Sequence, residues 1–535
     1  MRAFARLLDS LSFMPSRNGK LRLLSSYLAA IDDADDRLDR GWAMAALTGD
    51  LRLSAAKPAM IRALVAERTD PVLFGWSYDY VGDLAETVAL IWPSAATAQA
   101  PPRLAAVIAA LETTPKARLP ALVAGWLDAM DATGRWALLK LITGGLRVGV
   151  SARLAKTALA AAHDRPVEAI EELWHAHRPP YAPVFAWLAG ERPQPDVSAT
   201  AAFRPMMLAN PLDEAADLAR LDPADYWAEW KWDGIRVQLV RRGGETRLYS
   251  RTGDDIAAAF PDVVAALEED AVLDGELLVG TPAAGGWAVG SFNALQQRLN
   301  RKQVGPKLLR EAPAFVRLYD MLADGASDLR GAPLAQRRGR LEAWHGRAIR
   351  PRFDLSPLIP FASWDELAAI RAGARDNGIE GLMLKRHDAP YVAGRPKGPW
   401  FKWKRDALTA DTVLMYAQRG HGKRSSFYSD YTFGCWRTGE DGAPELVPVG
   451  KAYFGFTDDE LRLLDKWVRD HTTARFGPVR EVAPGLVLEV AFDSVHASPR
   501  HKSGLAMRFP RVHRIRWDKP AAEADWVDAL LALRT

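Results

Sequence analysis

The stretch EWKWDGIR, Glu229 to Arg236, places a lysine between two tryptophans, with an acid two residues before it and Asp233-Gly234 two residues after. It joins two β-type runs, DYWAEWKW and IRVQLVRR, and an Asp-Gly pair between such runs reads as a tight turn. Lys231 therefore sits at the end of a strand. An amine attacks only when neutral, and an unperturbed lysine of pKa about 10.4 is neutral in about one copy in a few thousand at pH 7. Lowering that pKa by about 3 units takes about 4 kcal/mol of differential interaction. Tryptophan walls offer desolvation, although strand neighbours face opposite ways and at most one ring flanks the amine. Nearby cations are a second lever: Arg236, Arg251, Lys385, Lys402 and Lys404, where the fold gathers them. On the octapeptide alone, a strand lysine snorkelling from a half-buried sheet fits equally well.

Outward from this hairpin, residues 205–406 mix strand and helix signals. A second turn stands at Gly243-Gly244; DIAAAFPDVVAALEED and SFNALQQRLNRK read as helices, and AVLDGELLVG, FVRLYDML and IEGLMLKR as strands. Turns rather than long crossovers join many of these strands, so an α+β region with mostly antiparallel sheet is expected. Residues 1–195 read as all-α, with apolar residues recurring at three and four in LRLLSSYLAAI, DRGWAMAALTG and GRWALLKLITGGL. ERPQPDVSATAAFRPMM, Glu191 to Met207, reads as a proline-rich linker. Residues 407–535 give the short strands DTVLMYAQ, DYTFGCWR, ELVPVGKAYFG, GLVLEVAFDSV and RVHRIRW. Among them lies one helix, TDDELRLLDKWVRD, opened by a Thr457/Glu460 capping box. That set suits a small barrel of the oligonucleotide-binding (OB) type, with other small barrels open.

A chain of 535 residues accommodates several cores. No apolar run reaches the ~18 residues of a spanning helix, and Asp9 interrupts any leader-like stretch, so neither membrane nor signal peptide is expected. The one cysteine, Cys435, excludes an internal disulfide and a four-cysteine zinc site, and agrees with a reducing cytoplasm. The net charge of +4 hides clusters. Six Lys or Arg face one acid in HKSGLAMRFPRVHRIRWDK (501–519), and five face one in GRPKGPWFKWKRD (394–406). Two such patches with aromatics inside them favour a polyanion over a merely solvated face.

A series of motifs completes the pattern: Lys231-Trp-Asp233-Gly234, SRTGDD with Ser250, Arg251 and Gly253, and LDGEL with Asp274 to Glu276. LYD with Tyr319 and Asp320, EGLMLK with Glu380 and Lys385, WFKWK with Lys402 and Lys404, then RFPR (508–511) and RWDK (516–519) follow. In this order they resemble the ATP-dependent DNA ligases, a branch of the covalent nucleotidyltransferases. GDLAETVAL (82–90) and GGLRVGVSARLAKTAL (144–159) look like the DNA-binding domain of the larger ligases. Their glycines suit either backbone approach to phosphates or helix termination.

The resemblance implies a three-part architecture: residues 1–195 as a helical DNA-binding domain, 205–406 as the adenylyltransferase domain, and 407–535 as an OB-fold. It implies that Lys231, beside Asp233, attacks the α-phosphate of ATP to give lysyl-AMP. AMP then passes to the 5′-phosphate of a nick, and the 3′-hydroxyl displaces it. Glu229 would read the adenine edge and Tyr319, where the family usually has phenylalanine, would stack on the base. Arg236 and Arg251 would meet ribose and phosphates, with a cross-strand ion pair as the lesser alternative. Lys385, Lys402 and Lys404 would grip phosphates, joined by Arg395 although Pro396 stands where relatives often keep a base. Glu276 would meet the ribose hydroxyl or a metal, and Glu380 would help bind Mg2+. Arg508, Arg511, Arg516, Asp518 and Lys519 would orient pyrophosphate and then clamp DNA. Nicked duplex DNA is the implied partner, and the chain would act as a cytoplasmic monomer. The rivals are NAD-dependent ligases, which carry the four-cysteine zinc site missing here, RNA ligases and capping guanylyltransferases, which usually lack the helical region, and a catalytically idle DNA-binding relative, which the intact charged motifs oppose.

Overall fold

Helix starts in the N-terminal part follow their capping residues. Asp33, Asp70, Asp83, Asp131 and Ser151 each accept a hydrogen bond from a backbone N–H two or three residues on, and each opens a helix. The helix Ala132–Ile142 stops where Gly144 takes φ +75° and the Gly145 N–H returns to the Lys140 carbonyl. Helix termination is thus realised at Gly144-Gly145. The computed structural model describes all residues except 52, 54–55, 94–99, 300, 302–303, 374–378, 421–427, 454 and 534–535. Among the described residues, twelve α-helices lie between Arg2 and Leu188, and no helix is long and apolar enough to cross a membrane. Contacts divide the chain into two compact units: Met1–Ser16, Leu51–Val150 and Asp406–Thr535 form one, Arg17–Asp50 and Ser151–Arg405 the other.

In the second unit, strand alternation sets up two faces. A five-stranded sheet is ordered Asn210–Pro211, Trp400–Lys404, Ile379–Arg386, Tyr226–Trp232, Leu358–Ile359, antiparallel except for its first pair. Tyr226, Ala228, Leu382, Leu384, Phe401 and Trp403 line one face and pack on Leu367 of helix Trp364–Ala372. Glu229, Lys231, Lys385, Lys402 and Lys404 occupy the alternate positions. A seven-stranded sheet is built around Ile235–Arg242, Ala271–Ala283 and Ala314–Asp324. Val237, Leu239, Leu273, Leu277, Val316 and Leu318 bury one of its faces against Phe260 and Trp344. Gly243 and Gly244, at φ +58° and +83°, close the expected hairpin.

Two expectations fail here for physical reasons. The stretch 255–270 is not one helix: a 3-10 turn at Ala257–Ala259 gives way to a short helix, Pro261–Val264. Pro261 lacks an N–H and pushes Phe260 out of helical geometry, so the apolar period cannot run through. The linker is not solvated throughout, because Ala201, Phe203, Met206 and Met207 bury against Val240, Tyr249, Val272 and Leu322. Gln238 seals this seam, accepting from the Arg204 N–H at 2.6 Å and donating to the Arg204 carbonyl at 2.9 Å. The helix expected over 291–302 is observed as Phe292–Leu299, and positions 300 and 302 lie outside the described residues.

The C-terminal part of the first unit is a curled seven-stranded sheet. Its long strand Leu408–Arg419 pairs with Tyr428–Thr438 on one edge and with both Val479–Val482 and Val487–Phe492 on the other. The helix Asp458–Asp470 begins at the expected capping box and packs Leu464 and Val468 into the sheet's core. Cys435 is buried there too. Nine strands, not five, are present among the described residues. Short polar pieces such as Thr472–Phe476 lack the apolar alternation that marks a strand in sequence. Position 454, in the expected strand 445–455, lies outside the described residues.

The LYD aspartate holds this second unit together from inside. Asp320 and Arg337, both fully buried, form a fork at 2.8 and 2.9 Å, and Arg337 also donates to the Ala332 and Ala389 carbonyls. Removing one partner strands a buried charge. Arg337→Met should lower the unfolding free energy by about 3–5 kcal/mol, read as an earlier denaturant midpoint with unchanged slope.

Candidate active site

Lys231 owes its position to a glycine. A Cβ at Gly234 would lie 2.6 Å from the Leu277 carbonyl oxygen and 2.7 Å from Glu276 Cγ, so the Asp233-Gly234 turn presses directly on the strand Ala271–Ala283. Asp233 is half-buried in that turn. A bulge between Ile379 and Leu382 supplies the other flank. Gly381, at φ +133°, makes the bulge possible, since a Cβ there would overlap the Trp403 carbonyl. The bulge delivers Glu380, whose carboxylate pairs with the Lys231 ammonium. The tryptophans are engaged elsewhere: Trp230 packs on the apolar face and Trp232 lies 4.2 Å beneath the Arg317 guanidinium.

Glu276 faces the same space. Burial raises its pKa to about 8, against the pull of Lys231 and Arg236 and with further push from Glu380 and Asp274. A set of cations gathers around Lys402. Burial, then Arg395, Lys404, Lys231 and Arg251, lower the pKa of Lys402. Arg395, Lys404, Lys231 and Arg251 thus all lie within electrostatic reach of Lys402, and Arg251 and Arg395 are exposed where an anion can reach them.

Three expected residues, Lys385, Glu229 and Arg236, are engaged with protein partners. Lys385 is buried and donates to Glu229 at 3.0 Å, with both side chains nearly dry. Its ammonium lies 4.0 Å from the Tyr319 ring centroid and 4.9 Å from that of Trp400. Arg236 realises the ion-pair alternative: it forks onto Asp274 at 3.1 and 2.7 Å and donates to the Met207 carbonyl at 2.7 Å. Tyr391 donates to the same Asp274 at 2.7 Å. Tyr391 and Trp400 stand against these pairs, and sequence reasoning gave neither a role. Trp400 opens the WFKWK motif, whose lysines drew the attention, and Tyr391 stands in no charge pattern; it reaches Asp274 from the connection between two strands.

The pattern of the family described as ATP dependent DNA ligase domain matches residues 206–404, and that of the ATP dependent DNA ligase C terminal region matches 424–519. A probable DNA ligase of Koribacter versatilis is 37% identical over 426 residues, which cover 73% of this chain and 70% of that protein. The chain belongs to the ATP-dependent DNA ligases. A probable DNA ligase of Rhodococcus opacus is 34% identical, over 78% of this chain and 80% of its own. The solved structure named Pmar-Lig_PreS3 shares the fold with a TM-score of 0.58 over 96% of this chain and 99% of that one, at 17% identity. This ligase seals nicks in duplex DNA with ATP, releasing AMP and pyrophosphate.

In the ligase's C-terminal sheet, the expected basic residues divide by partner. Arg516 forks onto Asp518 at 3.0 and 2.8 Å and lies 3.4 Å from Asp411; Lys519 donates to Asp411 at 2.8 Å. Hydrogen bonding from Arg516 lowers the Asp518 pKa to about 2. Arg511 pairs with Asp493 at 3.6 Å, and Arg508 stacks 5.1 Å from the exposed ring of Phe509.

The folded ligase binds the Glu276 proton more tightly than the unfolded chain does. That contribution to stability is full below the ordinary value of 4.5 and is lost as pH rises through about 8. Without nucleotide or metal, Glu276→Gln should flatten the fall of melting temperature across this window. An unchanged slope would contradict the buried, proton-holding state.

Proposed function

We propose that Lys231 is the nucleophile of the ligase and that the space between its two carboxylates and the Lys402 cluster receives the triphosphate of ATP. The observation that carries this reading is that Lys231 pairs with Glu380 and lies within electrostatic reach of Glu276 and of Lys402, which Arg395, Lys404 and Arg251 also reach. Cations gathered there stabilise charge on the transferring and leaving phosphates. Nζ of Lys231 bonds to the α-phosphorus as the bond to pyrophosphate breaks, giving lysyl-AMP; AMP passes to the nick's 5′-phosphate, and the 3′-hydroxyl then displaces it. Glu229, held by Lys385, takes the hydrogen-bonding edge of adenine, and Tyr319 offers the ring for stacking. Arg236, fixed by Asp274, borders the ribose side, and Asp233 holds the turn that presents the lysine.

Mg2+ suits this donor set. Among the described residues no group of three or more ligating side chains occurs, and a hard cation that shares one or two carboxylates with substrate phosphates and water requires none. Glu380 and Glu276 would hold it, and it would neutralise phosphate charge. In this reading residues 1–195 bind DNA, 205–406 carry adenylation and 407–535 form an OB-fold whose Arg508, Arg511, Arg516, Asp518 and Lys519 meet pyrophosphate or the DNA backbone. The ligase would act as a cytoplasmic monomer.

Incubation with Mg2+ and α-labelled ATP should leave label that survives denaturation, whereas GTP or labelled NAD should not. Lys231→Ala and chelation should each abolish it. Label from GTP alone, or label kept by Lys231→Ala, would overturn the reading. Nicked DNA should be sealed and nicked RNA duplex not. Charge reversal at Arg516 should slow self-adenylation without DNA; a loss confined to nick binding would restrict the C-terminal sheet to clamping.

A further inference from the structure

The conspicuous stretch GGLRVGVSARLAKTAL contributes a contact that DNA binding does not explain. Ser151 opens the helix Ala152–Ala162, and Arg153 in its first turn reaches Gly394, the residue before Arg395. Gly394 has φ +87°, and a Cβ there would overlap the Arg153 guanidinium. The glycine is pinned from the other side as well: its N–H donates to the Met206 carbonyl at 3.0 Å and its carbonyl accepts from Leu208 at 2.6 Å. Arg153 is steered by Glu171 at 3.5 Å.

The second contact has the same form. His175 caps the helix Val167–Trp174, and its ring rests on Gly253, two residues after Arg251. Gly253 also has φ +87°, and a Cβ there would overlap the imidazole. Backbone bonds from Ser250 to Asp254 and from Gly253 to Ser250 close this turn. The ring is held edge-on to Phe203, 4.8 Å between centroids, and its Nε2 lies 3.4 Å from the Lys156 ammonium. Burial and Lys156 keep the pKa of His175 at about 3, so the ring is neutral and acts by shape. Two residues of neighbouring helices thus each press on a glycine beside an arginine of the Lys402 cluster.

We propose that Arg153 and His175 are positioning residues for adenylation, which fix the two glycine turns so that Arg395 and Arg251 face the nucleotide phosphates. This rests on the reading above that those arginines hold ATP. The helical residues touch no reacting atom; they act through the arginines, and part of the N-terminal region serves the first chemical step before any DNA is bound.

Self-adenylation of the full chain, without DNA and at varied ATP and Mg2+, separates the cases. Arg153→Ala and His175→Ala should each raise KM for ATP, the concentration giving half the limiting single-turnover rate, about 5- to 10-fold with little change in that limiting rate. Arg153→Ala added to Arg395→Ala, and His175→Ala added to Arg251→Ala, should change KM by less than about 2-fold further. Independent, multiplicative effects within each pair would overturn the proposal, as would unchanged KM in both single variants. If Arg251→Ala and Arg395→Ala leave KM unaltered while wild-type labelling proceeds, the phosphate reading of the arginines fails, and the proposal with it. Melting temperatures are taken alongside. His175→Ala opens space in a packed site, so should it fail to fold, the half-exposed Arg153 and its pair with Arg395 decide the matter.

Discussion

The place where the Lys231 strand leaves one sheet and enters the next governs the second unit. Gly234 lets the backbone come against Leu277 and Glu276 with no side chain between them. One short connection therefore fixes the nucleophile at the end of the first sheet, the Arg236–Asp274 fork at the start of the second, and a carboxylate beside both. A Cβ at residue 234 would lie 2.6 Å from a backbone oxygen, so one of the two strands would have to move. The Asp-Gly pair is thus a packing constraint first, and its chemical consequences follow from the closeness it permits.

Around that contact the unit divides its charges by water content. Asp320 with Arg337, Asp274 with Arg236, and Glu229 with Lys385 are buried and forked or closely paired. They orient the pocket wall and are compensated before any ligand enters. Lys402 is different: burial first, and then the like charges of Arg395, Lys404, Lys231 and Arg251, lower its pKa. An anion relieves that crowding, so the wall is rigid and the cation cluster is receptive.

Much of this was legible in the chain. The Asp233-Gly234 and Gly243-Gly244 turns, the period-two spacing of Lys402 and Lys404, and the Thr457/Glu460 box are local signals, and each is observed. What stayed hidden depends on pairing between distant segments. The bulge that brings Glu380 to Lys231 leaves no mark except one glycine, and Tyr391 reaches Asp274 across 117 positions. Proline overrode an apolar period at residue 261, and a proline-rich stretch that looked solvated had enough alanine, phenylalanine and methionine to bury itself. The tryptophans flanking Lys231 suggested a desolvated amine, yet alternation turns them to other partners.

The buried cysteine has a practical meaning. Cys435 is the sole thiol of the chain, and it is sealed inside the curled C-terminal sheet among Phe433, Val447 and Leu464. Burial also raises its pKa, which suppresses the thiolate that oxidants and alkylating agents attack. In the native state this thiol is no ready target for such reagents. Their uptake would instead report the opening of that sheet, so one sulfur atom serves as a built-in clock for local unfolding.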